Sequence, residues 1–133
     1  GLGYAPFKDK WVKIPQIGNF IIGDNVELGP NCTIDLATLG STMIGSGCRI
    51  GPGCLIENSQ LAEQVEVLLS VVRDSVVEAG CVIGPYAQLR SQARLGADCR
   101  IGNFVEVKNS TLAAGVKANQ LRAIDCAPKE PHG

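Results

Sequence analysis

The chain has 133 residues, a formal net charge of −1 and 45% hydrophobic residues, enough for one domain with a continuous core. So little net charge argues against a nucleic acid or an anionic membrane surface as an electrostatically driven partner. No apolar run approaches the ~20 residues needed to cross a bilayer, and no secretory signal opens the sequence. Its first residue is Gly rather than Met, which points to a fragment or a trimmed chain.

Taken in order, residues 1–16 (GLGYAPFKDKWVKIPQ) carry three of the six aromatics, Tyr4, Phe7 and Trp11. They read as an N-terminal cap or loop over the open end of a stacked-repeat rod, which needs such a closure. An aromatic loop beside a ligand is the other reading. From Ile17 to Ile124 runs an aliphatic ladder: Ile17, Ile22, Leu28, Ile34, Leu39, Ile44, Ile50, Ile56, Leu61, Val67, Val72, Val77, Ile83, Leu89, Leu95, Ile101, Val107, Leu112, Ala118, Ile124. Of its 19 steps, 12 are six residues long and seven are five. In the six-residue steps the fifth position is Val, Cys or Ala eleven times, Arg122 being the exception. The frame is clearest over residues 83–108, IGPYAQLRSQARLGADCRIGNFVEVK.

Period six with two apolar slots is neither a helical stripe nor strict strand alternation. It is the pattern of a parallel β-helix of hexapeptide repeats, three short strands closing each coil. The expected fold is therefore all-β, with about six coils and, at roughly 4.8 Å per stacked strand, a rod on the order of 30 Å long. The expected division is 1–16 cap, 17–125 β-helix and 126–133 tail. Nine of the 16 glycines directly follow a ladder aliphatic, where a corner needing an unusual backbone conformation would favour them.

Six cysteines invite a disulfide or zinc reading. Cys32, Cys48, Cys54, Cys81 and Cys99 all occupy the small fifth slot, where they act as compact hydrophobes. No closely spaced Cys/His ligand set accompanies them, so no metal is expected. Only Cys126 lies beyond the ladder. A reduced, cytoplasmic setting is the natural one.

Residues 1–38, through G-x-GYA, WVKIPQIG and IIGDNVELG-x-N-x-TID, resemble the hexapeptide-repeat domain of UDP-3-O-acylglucosamine N-acyltransferase, an acyl-carrier-protein-dependent enzyme of lipid A synthesis. That resemblance thins after TID, where Leu36-Ala37-Thr38 stands in place of the family's Arg-Gly-Ala. Residues 42–122, through IGSGCRIGPGCLIENSQL, SVVRDSVVEAGCVIGPYAQLR and IGNFVEVKNSTL-x-x-GVKAN, are similar to the acetyltransferase domain of the bifunctional N-acetylglucosamine-1-phosphate uridyltransferase. The chain thus reads as a join, near Leu39, of two families with one fold. Both resemblances imply a left-handed coil, against the usual right-handed crossover, and the second implies a homotrimer.

The second resemblance implies acetyl transfer from acetyl-CoA to the amine of glucosamine-1-phosphate, a step toward the nucleotide sugars of the bacterial cell envelope. It places the phosphate-binding cations on Arg90 and Lys108. A guanidinium grips phosphate bidentately and an ammonium adds charge. The family segment KA-x-HL-x-Y-x-GDA supplies a catalytic His and a Tyr at the sugar site; this chain reads KANQLRAIDCA. Gln120 stands at the His position and Ala123 at the Tyr position. An amide has no basic lone pair with which to deprotonate an amine, though it can orient a substrate. The single His, His132, lies in the tail CAPKEPHG. Arg122 in an inward slot implies that the coil frays near Ala123.

Ser75 and Ser110 have no His for a nucleophilic triad. Glu63, Glu66, Asp74 and Glu78 read as a solvated face. Leu68 and Leu69, adjacent and outward, imply subunit packing. Two functions fit these residues: an N-acetyltransferase of the second lineage, impaired at its base, or a catalytically silent trimeric scaffold or recombined fragment. A lipid A acyltransferase is the further alternative.

Overall fold

A computed structural model describes residues 4–7, 20–35, 42–119 and 122–125. Strand β1 (Tyr4–Phe7) is followed by six triplets, each a coil. The first is β2 (Phe20–Ile22), β3 (Glu27–Leu28) and β4 (Cys32–Asp35), and the second β5 (Thr42–Ile44), β6 (Arg49–Ile50) and β7 (Leu55–Glu57). The third is β8 (Gln60–Leu61), β9 (Glu66–Val67) and β10 (Val71–Arg73), and the fourth β11 (Val76–Val77), β12 (Val82–Ile83) and β13 (Ala87–Arg90). The last two are β14 (Arg94–Leu95), β15 (Arg100–Ile101) and β16 (Val105–Lys108), then β17 (Thr111–Leu112), β18 (Lys117–Ala118) and β19 (Arg122–Asp125). From β2 on, every third strand stacks in parallel, giving three sheets: sheet A (β4-β7-β10-β13-β16-β19, with β1 added at the β4 edge), sheet B (β2 to β17) and sheet C (β3 to β18). This is the parallel β-helix that the period-six ladder implied.

The ladder forms the core. Leu28, Ile34, Ile44, Ile50, Ile56, Ile83, Leu89, Leu95 and Ile101 are almost wholly buried, while Ile22, Leu112 and Ile124 pack partly buried against them. Burying one such side chain is worth about 1.5–3 kcal/mol. The repetition of the slot, coil after coil, makes the interior continuous. β1 runs antiparallel to β4, with Tyr4 opposite Asp35 and Phe7 opposite Cys32. It covers the first edge of sheet A, where unpaired backbone would otherwise lie open.

The shorter steps have their own chemistry, which the period-six reading missed. In five of the seven, the inward small slot is the fourth residue and bears a hydroxyl: Thr42, Ser59, Ser70, Ser75 and Ser110, all buried. A strand one residue shorter turns a carbonyl two residues upstream toward the interior, and the four serine hydroxyls donate to it, whereas the buried Thr42 hydroxyl has no partner among the described residues. The distances are 2.8 Å from Ser59 to Glu57, 2.7 Å from Ser70 to Leu68, 2.6 Å from Ser75 to Arg73 and 2.8 Å from Ser110 to Lys108. The Ser59 and Ser70 oxygens also accept from the backbone N–H of Ser75 and Ala87, each one coil on. Ser75 and Ser110 are thus committed to the backbone. Ser75→Ala, leaving the Arg73 carbonyl unmet, is expected to cost about 1–3 kcal/mol in urea unfolding; no measurable loss would mean that the carbonyl finds another donor.

The glycines need a different account from the one the sequence offered. Gly51 and Gly84 do have positive φ, 131° and 107°. At Gly45 and Gly96, however, the constraint is close approach: a Cβ would lie 2.7 Å from the Ala62 carbonyl carbon and 2.6 Å from the Ala114 nitrogen. Neighbouring coils touch backbone to backbone there.

The expectation of fraying near Ala123 is corrected. β19 continues sheet A in register with β16, pairing Val105 with Arg122 and Lys108 with Asp125. Arg122 is exposed, because on this last described coil no further rung covers its slot. Cys32, Cys48, Cys54, Cys81 and Cys99 are free and buried. Burial pushes the Cys48 thiol up and the Cys81 thiol up to about 11, so both stay protonated at neutral pH. Cys126 and His132 lie outside the described residues.

Candidate ligand face on sheet A

The sequences AQLR and VEVK alternate small or aliphatic residues with polar ones. At the two-residue period of a strand, this buries Ala87, Leu89, Val105 and Val107 and turns Gln88, Arg90, Glu106 and Lys108 outward. β13 and β16 pair in register, Gln88 beside Glu106 and Arg90 beside Lys108. Two cationic residues therefore occupy one rung, on backbones one strand spacing or about 4.8 Å apart, at the carboxyl ends of adjacent strands.

Each cation already faces a carboxylate. Arg90 Nε donates to Glu106 Oε2 at 2.7 Å, and Lys108 Nζ lies 3.9 Å from Asp125 Oδ2. The four side chains are 32–44% exposed, so these are solvent-screened pairs of small worth. Glu106 meets the guanidinium at Nε, the side of the fork, while a bidentate anion would take its terminal N–H groups. Ala123, exposed, shares a rung with Glu106. Arg90, Lys108 and Ala123 thus lie on one face, and Gln120 lies outside the described residues.

At the corner leading into this sheet the backbone is left-handed, a conformation that favours Gly and Asn. Elsewhere the described left-handed corners hold mostly Asn, Asp, Gln or Gly. Here the chain carries Leu69 (φ 47°), Tyr86 (φ 59°) and Phe104 (φ 58°) on successive coils. Their exposures are 37%, 54% and 58%. The Tyr86 and Phe104 rings stack with centroids 5.3 Å apart. A groove of about 440 Å³ runs beside them toward Gln88 and Glu106. The face thus grades from an apolar corner through Gln88 and Glu106 to the cationic rung.

The sequence reading located the two cations but passed over Glu106, Asp125 and the aromatic corner. The signals were present: the alternation in VEVK and RAID turns both acids outward, and Tyr86 and Phe104 are one 18-residue coil apart.

The chain is 52% identical over 103 residues to the bifunctional protein GlmU of Synechococcus sp. (strain CC9902), covering 77% of this chain and 18% of the relative. It is 52% identical over 111 residues to that of Nostoc sp. (strain PCC 7120 / SAG 25.82 / UTEX 2576), covering 79% and 25%. Against that of Gloeothece citriformis (strain PCC 7424) it is 59% identical over 64 residues, covering 48% and 14%. The chain therefore spans a quarter or less of these relatives. Residues 16–120 match the family model of the GMPPB C-terminal domain; the chain belongs to that family and is a relative of bifunctional GlmU.

Proposed function

We propose that the chain derives from the acetyl-CoA-dependent N-acetyltransferase part of GlmU, and that it holds an amino-sugar phosphate on the outer face of sheet A without an efficient base. The observation that carries this reading is the Arg90–Lys108 rung. Two adjacent cations suit a phosphate dianion, and Glu106, two residues before Lys108 on the same face of its strand, suits the hydrogen-bond donors of an amino sugar. Glucosamine-1-phosphate has both features.

Acetyl transfer makes a C–N bond between the sugar amine and the acetyl carbonyl carbon, breaks the C–S bond of acetyl-CoA and removes one proton from nitrogen. That proton needs an acceptor titrating near neutrality, which imidazole is and the amide of Gln120 is not. Arg90, Lys108 and Glu106 would bind and orient; they would not take the proton. The apolar column of Leu69, Tyr86 and Phe104, with Leu68 at 39% exposure, supports burial against further copies in a homotrimer. A cytoplasmic location accords with a soluble nucleotide-sugar precursor.

The test is coenzyme A release from acetyl-CoA and glucosamine-1-phosphate. The native chain is expected to match a Gln120→Ala control, and Gln120→His with Ala123→Tyr to raise release by about a hundredfold, the scale of a positioned base. Release by the native chain that falls in Gln120→Ala would show another mechanism. Silence from every variant together with no sugar-phosphate binding would leave the scaffold reading. An acyl-carrier-protein thioester run in parallel tests the donor implied by residues 1–38.

A further inference from the structure

The outward column of sheet C runs Glu27, Arg49, Glu66, Val82, Arg100, Lys117, each paired with the last across neighbouring strands. Its first three members alternate in sign, and Arg49 Nε bonds Glu27 Oε1 at 2.8 Å. The alternation then fails, because Arg100 and Lys117 share a rung. Like charges directly opposite one another on a sheet are destabilising. On sheet A the comparable pair, Arg90 and Lys108, is offset by two carboxylates. Among the described residues, neither Arg100 nor Lys117 has an acidic partner.

The two cations border a notch of about 170 Å³ that Val82, Gly84, Ile101, Gly102 and Asn119 complete. No carboxylate lines it. At Gly102 a Cβ would reach only ordinary contact with Asn119, at 3.5 Å, so backbone and Asn119 wall this side of the notch. The Asn119 amide supplies further donors. A fork of five N–H donors, an ammonium and an amide around a small open notch match a multidentate anion.

We propose that the Arg100–Lys117 rung of sheet C is a second anion site, taking a phosphate dianion either free or as the terminal group of an organic phosphate. It is independent of the sugar-phosphate reading, which concerns a different sheet.

The test is calorimetric titration of the full chain at low salt with inorganic phosphate and, separately, with a nucleoside 5′-diphosphate. A saturable site distinct from the sheet A rung is expected to weaken about tenfold in Arg100→Gln or Lys117→Gln, the scale of one charge-assisted hydrogen bond, and to vanish in the double variant. The same site is expected to persist in Arg90→Gln/Lys108→Gln. The tighter of the two probes says whether the anion is free or terminal. Binding unchanged in the Arg100/Lys117 double variant overturns the proposal, as does uptake that never saturates. Binding lost only in the Arg90/Lys108 double variant also overturns it and leaves the sheet A reading standing. Both Arg100 and Lys117 are exposed and of like charge on neighbouring strands, so a melting temperature that does not fall is expected to accompany the loss.

Discussion

Leu89→Ala is expected to cost about 2–5 kcal/mol of stability, a large share of the ~5–15 kcal/mol typical of a whole domain. Leu89 is fully buried, and its rung neighbours are Val72 on one side and Val107 on the other. Both are β-branched and stiff at χ1, so neither can swing into the space left behind. Coils are also held at a fixed spacing by their backbone hydrogen bonds, which prevents the column from closing over the gap. The position matters as well as the residue. Leu89 belongs to the fourth of six coils, and in a stacked-repeat protein stability depends on each interface with the next repeat. The defect therefore weakens both junctions of a central coil rather than an end. Guanidinium unfolding monitored by circular dichroism reads the loss directly. Leu89→Met, which keeps the volume, is expected to cost less than about 1.5 kcal/mol, and Met43→Ala, at an exposed residue, about 0.5 kcal/mol or less. A loss below about 1 kcal/mol for Leu89→Ala would show that the column can collapse, and that the ladder is not the source of the rod's stability.

The ladder was legible because a β-helix repeats one requirement at nearly constant spacing. An aliphatic slot that recurs from Ile22 to Ile124 cannot be mistaken for a helix face or a simple strand. The five cysteines followed from the same frame, since a slot filled elsewhere by Val65 or Ala93 admits a small apolar group. The hydroxyl slot was equally regular, yet its meaning depends on where a carbonyl points, and that is set by the length of the corner rather than by hydrophobicity. Gly45 and Gly96 misled for a related reason. A glycine can signal an unusual φ or a close neighbour, and only the stacking of Ala62 and Ala114 distinguishes them. At the candidate site, Arg90 and Lys108 were found through motifs matched to a family. Glu106 and Asp125 required knowing which residues of successive coils share a rung. The position of Gln120 rests on sequence alone.

Removing the cations of sheet A is the sharpest test of that site. Arg90→Gln and Lys108→Gln are each expected to weaken glucosamine-1-phosphate binding by roughly 10- to 100-fold, the value of a charge-assisted hydrogen bond to phosphate. The double variant is expected to show no saturable binding to this face. Arg90→Lys should recover only part of the loss, because an ammonium keeps the charge but not the planar fork. Folding is not expected to follow binding: the pairs with Glu106 and Asp125 are partly exposed and such pairs contribute at most about 1 kcal/mol before screening. Glu106→Gln separates the electrostatic part of the site from the rest. It relieves Arg90 of its carboxylate, so the phosphate end should bind more tightly, while the amino sugar loses a charged acceptor. Glucosamine-1-phosphate is therefore expected to gain less from Glu106→Gln than glucose-1-phosphate, which carries no amine. Equal gains for the two sugars would place the amine away from Glu106. Affinity indifferent to Arg90, Lys108 and added salt alike would remove the phosphate from this rung, because attraction between exposed charges is screened within about 10 Å at 0.1 M salt.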